Sequence, residues 1–156
     1  MVAYTDSLGI NKGAVALAGS YTNRLSVIEY DIDFRAIAAA RTAAGATALA
    51  ATDTLVLATL PKGTYIVGGS VRVIRAEGAA GTIDLGITGT LTLFGDDINC
   101  NAAAGTMTGT TTAAFLTADT ALVMTVNSNS MDVARVLLRV LAVDMGTNPG
   151  SIPNVT

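Results

Sequence analysis

The chain has 156 residues, a net charge of −3 and no histidine. That length suits one domain with its own core, and the acidic balance gives no basic patch of the kind nucleic acid requires. Without histidine, Ser-His-Asp and Cys-His catalysis and His-ligated zinc are excluded, and so is the commonest general base.

Residues 1–25 hold scattered Gly, Asn, Ser and Thr, with breaks at Lys12-Gly13 and Gly19-Ser20. Leu8, Ile10, Val15 and Leu17 are too apolar for a purely solvated tail, so they predict an extended arm that packs on something, such as a neighbouring subunit. The alternative is a disordered terminus. MVAYTDSLGINKG lacks a basic region followed by an apolar one, so it is not read as a signal peptide.

SVIEYDIDF, residues 26–34, alternates: Ile28, Tyr30, Ile32 and Phe34 on one side, Glu29, Asp31 and Asp33 on the other. This predicts a strand with one wet face. The acidic row reads as a solvated face, with a hard-cation site as the alternative. The Ala-rich stretch that follows predicts a short helix over 35–43, capped by Asp33 and ended by a turn at Ala44-Gly45. DTLVLATL, residues 53–60, is a strand with Leu55 and Leu57 on one face.

The stretch from 60 to 88 organises the chain. Pro61 and a Lys-Gly turn open a long β-branched run in which Tyr65, Val67, Val71 and Val73 are expected on one face. Gly68-Gly69 interrupts it, as a bulge or a kink that carries the strand between sheets. Ile83, Leu85 and Ile87 repeat the alternation, and Thr88-Gly89 turns into TLTLF. Residues 95–113 read as a loop. Leu122, Met124 and Val126 mark a further strand, with a turn at 128–130. Residues 132–144 form the last strand, with an apolar even face (Ala134, Val136, Leu138, Val140, Ala142) and a mixed odd face carrying Arg135, Leu137 and Arg139.

About eight strands with turns between them and little helix predict an all-β fold. The expected form is an antiparallel, jelly-roll-like β-sandwich with an extended N-terminal arm and at most one short helix. The domains are then the arm (1–25), the sandwich (26–145) and a turn-rich tail (146–156). The core must be aliphatic, since 27 residues are alanine and the aromatics are four Tyr and three Phe. Charged residues are 13%, about half the usual share, which suggests that other subunits cover much of the surface.

Few residues remain for chemistry. Cys100 stands alone, so no intrachain disulfide forms. It reads as a small loop or core residue, with an intermolecular bridge or reactive thiol as the alternative. Asp96-Asp97 reads as a pair of turn formers, with a calcium loop as the alternative. Arg72, Arg75, Arg135 and Arg139 read as cations pairing with Asp or Glu, or as inter-subunit contacts. No catalytic residue, cofactor or metal is expected, and no stretch of 18 apolar residues predicts a membrane helix, despite a mean hydropathy of +0.53.

Five segments in order carry a resemblance: YDIDF, AAARTAAGATALAATDTL, LPKGTYIVGGSVRV, AEGAAGTIDLGITG and RVLLRVLAVDM. Across residues 26–145 the chain resembles small bacteriophage capsid decoration (cement) proteins with jelly-roll-like sandwiches. The resemblance implies a non-enzymatic virion component on the outer surface of the capsid, made in the host cytoplasm. It also implies a homotrimer, with the major capsid protein as partner and no nucleic acid or membrane. Arm residues Leu8, Ile10, Val15 and Leu17 and strand residues Arg135, Leu137 and Arg139 are the candidate subunit or capsid contacts. Two rival readings are a head-fibre or tail domain that binds a host-surface receptor or glycan, and a small hydrolase using Asp96 or Asp97.

Overall fold

A computed structural model of the chain describes residues 3–4, 10–12, 25–110 and 112–145. Two short strands come first, β1 (Ala3–Tyr4) and β2 (Ile10–Lys12), then β3 (Leu25–Asp33) and helix α1 (Phe34–Ala43). The remainder is strand: β4 (Thr54–Leu60), β5 (Thr64–Arg75), β6 (Thr82–Ile87), β7 (Thr90–Asn99), β8 (Met107–Thr110), β9 (Ala114–Phe115), β10 (Thr120–Ser128) and β11 (Arg135–Asp144). One sheet runs β1-β4-β10-β6-β7, the other β2-β3-β11-β5-β8, with β9 also on β5. Apart from β1 on β4, the pairing is antiparallel. From β3 onward the chain crosses between the sheets at most steps, as in a jelly roll; the exceptions are β6 and β7, paired in one sheet, and β8 and β9, both paired with β5 in the other.

The alternation of β3 holds as expected: Ile28, Tyr30 and Ile32 are buried. Phe34 is buried too, but it opens the helix. Asp33 caps α1, its carboxylate accepting from the Arg35 N–H at 3.1 Å. Phe34, Ile37 and Arg41 form the buried stripe, and the Arg41 guanidinium donates to the Thr47 carbonyl at 2.7 Å. Gly45, at φ +74°, closes the helix: Gly45 N–H donates to the Thr42 carbonyl and Ala46 N–H to the Arg41 carbonyl.

The core between the sheets is aliphatic, with Tyr30, Phe34 and Phe94 as its large aromatics. Tyr30 spans it: its hydroxyl leaves β3 and donates to the Leu57 carbonyl of β4 at 2.9 Å. The even face of β11 is buried from Val136 to Ala142, so the opposite residues point away from the core.

Three expectations are corrected. In β5, Ile66, Val71 and Val73 are buried while Tyr65 and Val67 are 38% and 37% exposed, so the four odd residues do not share a face. The register explains why: Ala142 pairs with Ile66 and Leu141 with Gly68, leaving Val67 as the extra residue of a bulge. Gly68-Gly69 does mark a bulge, but β5 stays in one sheet. Second, residues 95–113 are not all loop, since β7 continues to Asn99 and β8 lies beyond it. Gly86 makes the irregular β6–β7 pairing possible, because a Cβ there would collide with the carbonyls of Thr90 and Leu91. Third, the last strand starts at Arg135, because Asp132, Val133 and Ala134 are held in a bend.

A buried carboxylate holds that bend. Glu77 accepts from the backbone N–H groups of Asp132 (3.0 Å), Val133 (3.2 Å) and Ala134 (2.5 Å). Arg75 adds a bond from Nε to the Val133 carbonyl at 2.7 Å. The residues after β5 thus anchor the entry to β11.

Candidate functional site

The outward face of the six-stranded sheet carries the chain's unusual surface chemistry. β11 lies at its centre, with β3 on one side and β5 on the other. Register puts Val27, Leu141 and Gly68 on one level, then Glu29, Arg139 and Ser70, then Asp31, Leu137 and Arg72, then Asp33, Arg135 and Arg75.

Three ion pairs form among the described residues, all on this face. The Arg135 guanidinium grips Asp31 through two bonds, Nε to Oδ1 at 2.9 Å and Nη2 to Oδ2 at 2.5 Å. Arg139 donates to Glu29 at 2.6 Å, and Arg75 to Asp33 at 2.5 Å. The two-bond grip holds the Asp31 carboxyl below its usual range, with the positive charge of Arg135 adding to the effect and partial burial opposing it. The acidic row of β3 is therefore matched to arginines rather than left to solvent or a cation.

Apolar side chains surround these pairs. Val27, Tyr65, Val67, Met107 and Phe115 are all more than a third exposed. Phe115 of β9 is the register partner of Tyr65, so two aromatics stand side by side. Between Val27, Val67 and Leu141 the sheet dips into an open hollow of about 560 Å³, floored by Gly68, Gly69 and Ser70 and flanked by Glu29 and Arg139. The hollow exists because Gly68 has no side chain and Val67 is pushed out by the bulge.

The structure gathers Arg135, Leu137 and Arg139 on this face with their acidic partners. Of the arm residues, Leu8, Val15 and Leu17 lie outside the described residues. Ile10 begins β2 and pairs with Ile32 at the sheet edge. Sequence reasoning did not single out Val27, Val67 or the Tyr65–Phe115 pair as a surface, nor Glu77 as an anchor. An apolar residue at a polar-phase position, as Val27 is within the acidic row, is the signal that could have found the surface.

Cys100 is buried, and burial, aided by the Glu77 carboxylate, pushes its thiol up to about 12, so it is an inert core residue. Asp97 sits in a β7 bulge at φ +52°; its N–H donates to Asp84 at 2.8 Å, and its carboxylate accepts from Thr82 and Asn127. Burial raises the Asp84 carboxyl above its usual range, and the charges of Asp96 and Asp97 reinforce the rise while the Asp97 N–H opposes it. Among the described residues no group of three His, Cys, Asp or Glu side chains is arranged to hold a metal ion. Among the described residues, too, no helix is long and apolar enough to cross a membrane.

No family model matches the chain, and no curated protein matches it. Solved structures do. A chain of the cyanophage Pam1 capsid asymmetric unit aligns with a TM-score of 0.58 at 15% identity, over 84% of this chain and 92% of that one. A chain from the capsid of Ralstonia phage GP4 gives 0.55 at 17% identity, over 94% and 99%. A chain from the acid-stable capsid of Helicobacter pylori bacteriophage KHP30 gives 0.52 at 14% identity, over 86% and 92%. At these identities the likeness establishes the fold: this all-β sandwich resembles chains of phage capsid structures over nearly their whole length.

Proposed function

We propose that this chain is a structural virion protein of a tailed bacteriophage, a capsid decoration or cement protein. In this reading it binds the outer surface of the expanded head and clamps neighbouring major capsid subunits. It is made in the host cytoplasm and works without catalysis or a cofactor. The observation that carries the reading is the jelly-roll likeness to chains of three phage capsid structures. The outward sheet face adds to it, since exposed apolar side chains lie there beside three arginine–carboxylate ion pairs.

The mechanism is physical. Pairing Glu29, Asp31 and Asp33 with arginines lowers the cost of covering them, because no isolated charge is buried. Leu137 and Leu141 then supply apolar area between the pairs. A homotrimer, as the family resemblance implies, would engage several shell subunits at once, and multivalency would raise the affinity of modest single contacts. Binding to the expanded shell but not to its precursor stabilises the expanded form by mass action. Residues 1–25 act as an arm whose Leu8, Ile10, Val15 and Leu17 reach a neighbour, while Arg135, Leu137 and Arg139 belong to the sandwich contact. Binding of purified protein to bare expanded heads and to precursor shells tests this: saturable binding to the expanded heads alone is expected, and equal binding to both shells, or to neither, would refute it.

One observation favours a second reading, a head-fibre or tail domain that binds a host-surface receptor or glycan. Tyr65 and Phe115 form the kind of exposed aromatic platform on which sugars stack. Glycan binding lost on Tyr65→Ala, with no binding to heads, would select it.

A further inference from the structure

The outward face of the six-stranded sheet is complementary to itself. Its acids, Glu29, Asp31 and Asp33, stand on β3, and its arginines on β11 and β5. Charge therefore runs from negative to positive across the strands, while pairing fixes which residues share a level along them. Turning a second copy over about an axis along β11 reverses the order across the sheet and keeps the levels. β3 of one copy then covers β5 of the other.

Each level finds a partner in that arrangement. Asp31 faces the second copy's Arg72, which makes none of the three ion pairs within its own chain, and the symmetry makes this contact twice. Asp33 likewise faces Arg75. Val27, 46% exposed, lies over the hollow above Gly68. Leu137 and Leu141 meet their own counterparts on the axis. Arg135 and Arg139 also approach their counterparts, but each arrives already neutralised by Asp31 or Glu29. We infer that this face joins two copies of the chain about a twofold axis along β11.

The area sets the strength. The nine residues of β3 span about 30 Å, and five strands span roughly 20 Å, so about 600 Å² per copy can be covered. That is somewhat below the ~800 Å² of a standard interface, so the contact is weak in dilute solution and strengthened where copies are held close. Its placement between neighbouring trimers on a shell rests on the decoration reading; the self-contact itself does not.

Sedimentation equilibrium of the full chain over a range of concentrations tests it, with Arg72→Glu beside Thr92→Glu, an exposed change on the opposite sheet, and circular dichroism to verify folding. Wild type and T92E should associate alike, with R72E weakened about ten-fold or more and wild-type association falling as salt rises. Equal association of R72E and wild type, or no concentration dependence in wild type, overturns the inference. Binding to expanded heads separates the two readings. R72E that decorates heads normally but has lost self-association upholds both. R72E that associates normally but no longer binds heads assigns the face to the shell subunit and overturns the inference. Failure of every protein to bind heads, with the solution difference intact, refutes the decoration reading alone.

Discussion

Glu77→Ala should cripple the fold although the residue lies in a glycine- and alanine-rich connection. The Glu77 side chain is buried, at 6% exposure, and accepts from three consecutive N–H groups, those of Asp132, Val133 and Ala134. Asp132 is exposed, so its N–H can turn to water after the change. Ala134 is fully buried, so its N–H cannot. A hydrogen bond to a charged group contributes roughly 1.5–3 kcal/mol, and an orphaned buried donor costs about 1–3 kcal/mol. Counting the bonds as partly redundant gives a loss of about 3–5 kcal/mol, a large share of the ~5–15 kcal/mol that holds a domain together. At about 2–4 °C per kcal/mol for a chain of this size, Tm should fall by roughly 6–20 °C. Urea unfolding and calorimetry would measure the change. Hydrogen exchange should show the Val133 and Ala134 amides opening first. A loss below about 1 kcal/mol, with those amides still protected, would refute the reasoning.

Three further outcomes follow from the same structure. Gly86→Ala should unfold or re-register the β6–β7 pair, because its methyl meets the Thr90 and Leu91 carbonyls; a melting curve within about 1 kcal/mol of wild type would contradict that. Asp31 has a depressed carboxyl in the fold, so the stability it adds is present above the unfolded carboxylate range and is lost as pH falls through the folded value. Asp31→Asn should therefore show a shallower acid loss in urea midpoint than wild type, and an identical profile would count against the Arg135 pairing. Asp84 is shifted the other way, so its contribution is best at low pH and declines as pH rises through the raised value. Asp84→Asn keeps an acceptor for the Asp97 N–H and should gain on wild type from acid to neutral pH; a difference independent of pH would sink the point.

Much of the sandwich was legible because one face of each strand meets the core and the other meets water. Tyr30 and Ile32 alternate with Asp31 and Asp33 for that reason, and the even face of β11 is apolar throughout. The helix was legible because its signals are local: Asp33 at one end and Gly45 at the other. Where the reading failed, geometry outside the local pattern decided. The Val67 bulge inserts one residue and reverses the phase of β5, and a period-2 count cannot register an insertion. Gly95 to Asn99 look like loop by composition, yet Gly95, Ile98 and Asn99 pair with Leu85, Ile83 and Thr82 of β6, a match set by the register between two strands. Glu77 finds its partners more than fifty residues away. In the candidate surface the residue types were visible in Arg135 and Arg139. Their matching to Asp31 and Glu29 was not, because it depends on the register of two strands about a hundred residues apart.

The central claim is that this chain decorates a phage shell, and counting bound copies tests it most directly. Purified protein would be mixed with expanded heads lacking it, the heads sedimented, and the copies per shell determined as concentration rises. The account predicts saturation at a number fixed by the symmetry of the shell, with the decorated heads resisting disruption better than bare ones. A folded, oligomeric protein that stays in the supernatant at every concentration while the heads sediment would contradict it.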